Sequence, residues 1–243
     1  MNKIRIDKLL FSKKIAKSRE RAKILIEEGK VFVNGKVIEK PSIKIDIDAD
    51  IEIKGEDIRW VSRGGIKLEK ALKIWNINLK KQTCLDVGAS TGGFTDVLIS
   101  SGAKKVYALD VGHGQLDEKL RNNPKVVNIE KTNARNIDKN LIRELVDFIC
   151  IDVSFISLTM IIPEVIKFVK PKGIIVALLK PQFELGKEGV DKSGIVKRKT
   201  QHELVIKKIK VLAANLNLCI KGITESPILG KNGNKEFLVY ITK

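Results

Sequence analysis

Residues 83–110 constrain the fold more tightly than any other stretch. Thr83-Cys-Leu-Asp-Val87 is an apolar run of strand length, followed by the glycine-rich turn Gly88-Ala-Ser-Thr-Gly-Gly93. A helical stretch leads from there into a second apolar run, Val106-Tyr-Ala-Leu-Asp110. Strand, tight turn, helix and strand in this order form a βαβ unit, which needs parallel strands and a right-handed crossover. The alternation continues, predicting strands near 83–87, 105–110, 126–129, 147–152 and 173–179. Helices are predicted near 66–75, 93–101, 115–121, 138–145, 157–169 and 198–214. The fold class is therefore α/β, with a doubly wound, mostly parallel sheet. Its end departs from that rhythm: Leu218 to Thr224 and Glu236 to Thr242 are two strands joined by Gly230-Lys-Asn-Gly-Asn234, with no helix between them. A seven-stranded sheet whose last strand runs antiparallel follows.

The turn after the first strand has the shape of a nucleotide pocket. Gly88, Gly92 and Gly93 let the backbone approach a ligand, and a helix begins there. Asp110, about 20 residues beyond the turn, stands where a carboxylate can hold two ribose hydroxyls. No Gly-Lys-Ser/Thr is present, which excludes a triphosphate-binding P-loop. The spacing is not G-x-G-x-x-G, and Asp86 lies two residues before the first glycine. A carboxylate there would repel a pyrophosphate but can accept hydrogen bonds from the charged amino acid end of S-adenosylmethionine. The terminal hairpin also favours a methyltransferase sheet over a dinucleotide-binding one.

The 243 residues carry 46 Lys and Arg against 29 Asp and Glu, a formal net charge of +17. Such a surplus suits a polyanionic partner, although a lysine-rich proteome would also produce it. One basic cluster lies within residues 1–23, and a second comprises Lys187, Lys192, Lys197, Arg198, Lys199, Lys207, Lys208 and Lys210. Two basic faces suit two modules gripping one folded RNA. Cys84, Cys150 and Cys219 each lie in an apolar run and are expected to be buried free thiols. With only His113 and His202, no Cys/His metal site is expected. No signal-peptide core or membrane span is apparent, so a soluble cytoplasmic protein is expected.

The first 58 residues form a unit of their own. Ile6 to Lys13 and Ser18 to Glu28 have helical patterns, with Ser18 as N-cap and Gly29 closing the second helix. Val31 to Ile38 is a β-hairpin turning on Asn34-Gly35, and 43–47 and 51–53 alternate like small strands. Arg5-Ile-Asp-Lys-Leu-Leu10, Ser18-Arg-Glu-Arg-Ala22, Gly29-Lys-Val31 and Val33-Asn-Gly35 resemble the small αL RNA-binding module. That module is shared by a small-subunit ribosomal protein, pseudouridine synthases and tyrosyl-tRNA synthetases. Arg5, Lys13, Lys17, Arg19, Arg21 and Lys23 are the expected phosphate contacts. Residues 59–65, containing a Gly pair, are the expected linker to a second domain spanning 66–243.

Four charged residues are oddly placed in the second domain. Lys67 opens a helix, Asp152 ends the fourth strand, Lys180 ends the fifth and Glu236 begins the last. A lysine closing an apolar strand is costly unless paired, and Asp152 is the expected partner. In order and context these four resemble the Lys-Asp-Lys-Glu tetrad of FtsJ-type ribose 2′-O-methyltransferases. Together with the N-terminal module, Val111-Gly-His-Gly-Gln-Leu116 and Thr132-Asn-Ala-Arg135, the chain resembles the TlyA family of ribosomal RNA methyltransferases from Arg5 to Glu236.

The resemblance implies S-adenosyl-L-methionine as cofactor, bound by Asp86, Gly88, Ser90, Gly92, Gly93 and Asp110, with Asn133 near the adenine. It implies Lys67, Asp152, Lys180 and Glu236 as catalytic residues, with Ser154 and Phe155 following the catalytic acid as pocket lining or core. The implied partners are ribosomal RNA and ribosomal subunits, with no membrane and no metal, and the protein is expected to act as a monomer. The implied target is a cytidine. The chain's length resembles the shorter class in the family, which favours the large subunit. Two rival readings are a membrane-active hemolysin, a label some members carry, and a non-catalytic RNA binder in ribosome assembly.

Overall fold

The computed structural model describes residues 3–16, 18–27, 29–55, 59–230 and 233–243, the side chains of Glu20 and Lys187 apart. The chain divides into two compact units, Met1–Ser62 and Arg63–Lys243.

In the first unit, β1 (Lys3–Arg5) leads directly into α1 (Ile6–Ser12), and α2 (Arg19–Glu27) follows. Ser18 caps α2, its Oγ accepting the Arg21 N–H at 3.0 Å. The hairpin is β2 (Val31–Val33) and β3 (Lys36–Val37), with Asn34 and Gly35 at φ 49° and 77°. These left-handed values are what a two-residue hairpin turn requires. β4 (Lys44–Asp46) and β5 (Ile51–Ile53) complete the unit: β1 pairs with β4, and β2 lies between β3 and β5, all antiparallel. Ile6, Leu9, Leu10, Ala22, Leu25, Ile26, Val31 and Val33 form its core.

The second unit begins with α3 (Gly64–Ile74), which includes the glycine pair expected to precede it. β6 (Thr83–Val87), α4 (Gly93–Ser100), β7 (Lys105–Leu109), α5 (Glu118–Arg121), β8 (Val126–Ile129) and β9 (Val146–Ile151) follow. Then come α6 (Leu158–Val165), β10 (Val169–Leu179), α7 (Pro181–Glu184), α8 (Lys199–Asn215), β11 (Cys219–Glu225) and β12 (Phe237–Thr242). The seven-stranded sheet has the order β11-β12-β10-β9-β6-β7-β8, with β12 antiparallel to both of its neighbours and the remaining pairs parallel. Direction of winding reverses between β6 and β9, so a ligand crevice is expected outside their carboxyl ends. Strand alternation separates two layers. Leu85 and Val87 join a core with Leu158, Ile162, Val205 and Ile209 of α6 and α8. Asp86 faces the opposite layer, where it meets Thr95 of α4.

Four expectations are corrected. Residues 138–145 form turns, because the Asp138 carboxylate takes the Asn140 N–H at 2.9 Å and its carbonyl takes Leu141 N–H at 3.0 Å. Local side-chain capping of this kind competes with helix. The helix expected at 115–121 shrinks to the single turn of α5, started by Asp117. The fifth strand starts earlier, at Val169, with an irregularity between Val169 and Ile174. Cys219 is exposed on the edge strand, whereas Cys84 and Cys150 are buried free thiols.

Candidate active site

The carboxyl ends of the central strands and the start of β12 bring the charged residues together. Val87 pairs with Ile151, so one step further Gly88 faces Asp152. Leu179 pairs with Phe237, so one step further Lys180 faces Glu236. Directly opposed residues share a face of the sheet, which gathers Gly88, Asp152, Lys180 and Glu236 on the α3/α4 side. There the charges form two pairs. Lys180 Nζ lies 2.6 Å from Asp152 Oδ1 and donates to Ser154 Oγ at 3.0 Å. Lys67, in α3, donates to Glu236 Oε2 at 2.6 Å, and both side chains are buried. Asp152 is the half-open member of the four, while Lys180 is 9% exposed.

The glycine turn borders this cluster. Gly88 has φ 86°, and a Cβ there would meet the Asp152 carbonyl oxygen at 2.4 Å. Gly92 has φ 96° and caps α4, whose first residue is Gly93. Ser90, exposed and at φ 49°, donates its backbone N–H to Asp110 Oδ2 at 2.8 Å, and Gly112 N–H reaches Oδ1 at 2.7 Å. Two backbone donors thus hold the Asp110 carboxylate, which keeps lone pairs for further hydrogen bonds. Glu130 secures the next loop by accepting the Gly114 N–H at 2.8 Å beside His113 Nδ1 at 2.9 Å. The Gly114 N–H first, and His113 after it, pull the Glu130 carboxyl down to about 2.

Asp86 is not at the surface of this crevice. It is 0% exposed, its Oδ2 accepts the Thr95 hydroxyl at 2.7 Å, and Cys150 Sγ lies 3.6 Å from Oδ1. Burial drives its carboxyl up to about 7, a rise that the Thr95 hydrogen bond opposes and the nearby Asp152 charge reinforces. As it stands, Asp86 ties the turn to α4 from below and presents no oxygen to a ligand. Asn133 is exposed, and its Oδ1 accepts the Arg135 N–H at 3.0 Å, the geometry of a loop cap. Phe155 is no core residue: it is 87% exposed at φ 64°, with its ring 5.1 Å from that of Phe183. Thr95, Glu130 and Phe183 escaped the sequence reading because nothing in the local pattern ties them to the distant residues they touch.

The expected RNA contacts divide in the same way. Arg5 and Arg19 are half-exposed and Lys13 is exposed, whereas Lys23 is partly covered. Arg21 is only 8% exposed, so the expectation of an open phosphate contact there is corrected. Lys17 lies outside the described residues. In the second unit Lys192, Lys197, Arg198, Lys199, Lys207, Lys208 and Lys210 are all exposed. Among the described residues no helix is long and apolar enough to cross a membrane, and no three His, Cys, Asp or Glu group as a metal site.

Comparison with known proteins agrees with this architecture. Residues 60–243 match the FtsJ-like methyltransferase family and residues 4–51 match the S4 domain. YqxC of Bacillus subtilis is 44% identical over 98% of this chain and 85% of its own length. The 16S/23S rRNA (cytidine-2′-O)-methyltransferase TlyA of Mycobacterium tuberculosis is 39% identical over 98% of this chain and 89% of its own. A solved structure from Streptococcus thermophilus that carries a hemolysin name is 43% identical, with a TM-score of 0.80 over 100% of this chain and 89% of that one. The chain therefore belongs to the FtsJ-like methyltransferases of the TlyA type, with an S4 domain ahead of the catalytic sheet.

Proposed function

We propose that the protein is an S-adenosylmethionine-dependent ribose 2′-O-methyltransferase acting on a cytidine of ribosomal RNA in the cytoplasm. The observation that carries this reading is the double pair Lys180–Asp152 and Lys67–Glu236 beside the glycine turn at the reversal point of the sheet. The residues present fit the donor: Gly88 leaves room where a Cβ would not, and Asp110 is organised by two backbone N–H groups. Gly88, Ser90, Gly92, Gly93 and Asp110 would hold it, Asn133 would lie near its adenine, and Asp86 would act from beneath. The donor supplies an electrophilic methyl group. Residues 59–65 would serve as the linker between RNA capture and chemistry.

The chain's task is to make a poor nucleophile react. A ribose hydroxyl must be oriented towards the methyl carbon. As its oxygen takes the methyl group the carbon–sulfur bond would break, leaving a neutral thioether, and the hydroxyl proton would pass to solvent. Lys180, steadied by Asp152 on one side and Ser154 on the other, is positioned to direct that hydroxyl and to stabilise the charge growing on its oxygen. The half-open Asp152 and the buried Glu236 each hold one ammonium group at the site, and Lys67 would add positive potential for an anionic substrate. Phe155 offers an exposed aromatic face of the kind on which bases stack.

Replacing Lys180 with Ala is expected to lower methyl transfer from labelled donor to ribosomal RNA by on the order of 10²-fold or more, with RNA affinity within twofold of the parent. Persistent transfer would refute the tetrad assignment. Mapping 2′-O-methyl positions on both ribosomal RNAs, with and without the protein, identifies the subunit and nucleotide. Dye release from liposomes without any methylation would favour the membrane-active reading instead.

A further inference from the structure

Among the described residues, Asp7 is one of two charged residues with no solvent exposure, the other being Asp86. It sits in the first turn of α1 and carries three short contacts from two arginines. Arg5 Nε donates to Oδ1 at 2.9 Å and Arg5 Nη2 to Oδ2 at 3.2 Å, while Arg19 Nη2 reaches Oδ2 at 2.9 Å. The arginines themselves are not buried: their side chains are 39% and 45% exposed. Each occupies the wrong end of a helix for its charge, Arg5 as the N-cap of α1 and Arg19 as the first residue of α2. Helix dipoles disfavour cations at N-termini, and the carboxylate between the two arginines offsets that cost.

We infer that Asp7 is a positioning residue, which holds Arg5 and Arg19 as a paired guanidinium clamp whose outward N–H groups grip RNA phosphates. Of five N–H donors on each guanidinium, the contacts to Asp7 leave three on Arg5 and four on Arg19. Two cations sharing one buried anion keep a net positive face. Because the anion is covered, no carboxylate oxygen meets a phosphate, and the two guanidinium charges outweigh its single negative charge. Long side chains that are already ordered lose less freedom on binding, so the clamp gains affinity by preorganisation. A phosphate is the matching ligand because the planar fork meets it through two parallel hydrogen bonds. The inference rests on the RNA-binding part of the proposed function and is independent of the methyl-transfer step.

The test uses the full chain and a ribosomal RNA transcript as probe, with affinity, its salt dependence and methyl transfer measured separately. Asp7→Asn is expected to weaken RNA binding roughly tenfold and to raise KM for RNA while leaving kcat within twofold. In an Arg5→Gln/Arg19→Gln background, adding Asp7→Asn is expected to change affinity less than twofold, since the clamp is already gone. An equal loss in both backgrounds, or unchanged affinity in the single variant, overturns the inference. Should Asp7→Asn unfold the first unit, the parent protein decides the matter by NMR. Arg5 and Arg19 are expected to show hindered guanidinium rotation before RNA is added, and freely averaged signals would overturn the clamp. Tight RNA binding by the parent without methylation would defeat the proposed function and leave the clamp standing.

Discussion

Gly88 is where backbone freedom and site geometry meet. Its φ of 86° and the Asp152 carbonyl 2.4 Å from any added Cβ both oppose a side chain. Gly88→Ala is therefore expected to destabilise the second unit by about 3 kcal/mol, read from the urea unfolding midpoint, and to weaken donor binding with it. Asp86 makes a prediction of opposite character. Burial raises its carboxyl to about 7, against about 4 in an unfolded chain. Folding then takes up a proton, so this group's contribution is complete below about pH 4 and is lost as pH rises through 7. Asp86→Asn is expected to flatten the decline in unfolding midpoint between pH 5 and pH 8. Identical slopes in parent and variant would mean that the buried carboxyl is ionised throughout. In the first unit Asp7 behaves conversely: burial alone would raise it, but Arg5 and then Arg19 bring it down to about 2. Its contribution is present above about pH 4 and is lost as pH falls towards 2.

Helix α6 shows how an element is started by residues far apart in sequence. Ser157 is its N-cap, and the buried Glu184 carboxylate accepts both the Ser157 hydroxyl and, at 2.7 Å, the Leu158 N–H. Ser157→Ala is expected to cost about 1 kcal/mol, and Glu184→Ala about 2 kcal/mol because a buried N–H loses its acceptor. Chemical denaturation distinguishes the two. Residues 131–145 lack a regular ladder, with Leu141 and Leu145 exposed, so their amides are expected to exchange with deuterium far faster than those of β9 and β10. The elements that were legible beforehand had strong local signals: the apolar run of β6, the Asn-Gly turn, and the Ser18 cap. The segment 138–145 misled because its leucines have helical spacing while Asp138 diverts the backbone into turns. β1 was missed because three residues carry no period, and its partner β4 lies some forty positions away.

Across the whole molecule the charge surplus has a measurable consequence. If four phosphates are neutralised, RNA affinity is expected to fall on the order of 10²-fold between 50 and 200 mM salt. A slope near zero in a log–log titration would remove electrostatics from recognition. The sequence by itself determined the two-unit plan and the doubly wound sheet with its antiparallel last strand, and it singled out four charged residues as oddly placed. Those properties reside in periodicity, glycine placement and residues that violate a local pattern, all of which are written locally. Only the tertiary structure decided how the charges pair, Lys180 with Asp152 and Lys67 with Glu236. It also decided that Asp86 lies beneath the glycine turn, that Phe155 faces solvent, and that Asp7 joins two arginines. Each of these depends on which side of a strand or helix meets a segment distant in the chain, and strand register and layer packing set that, not composition.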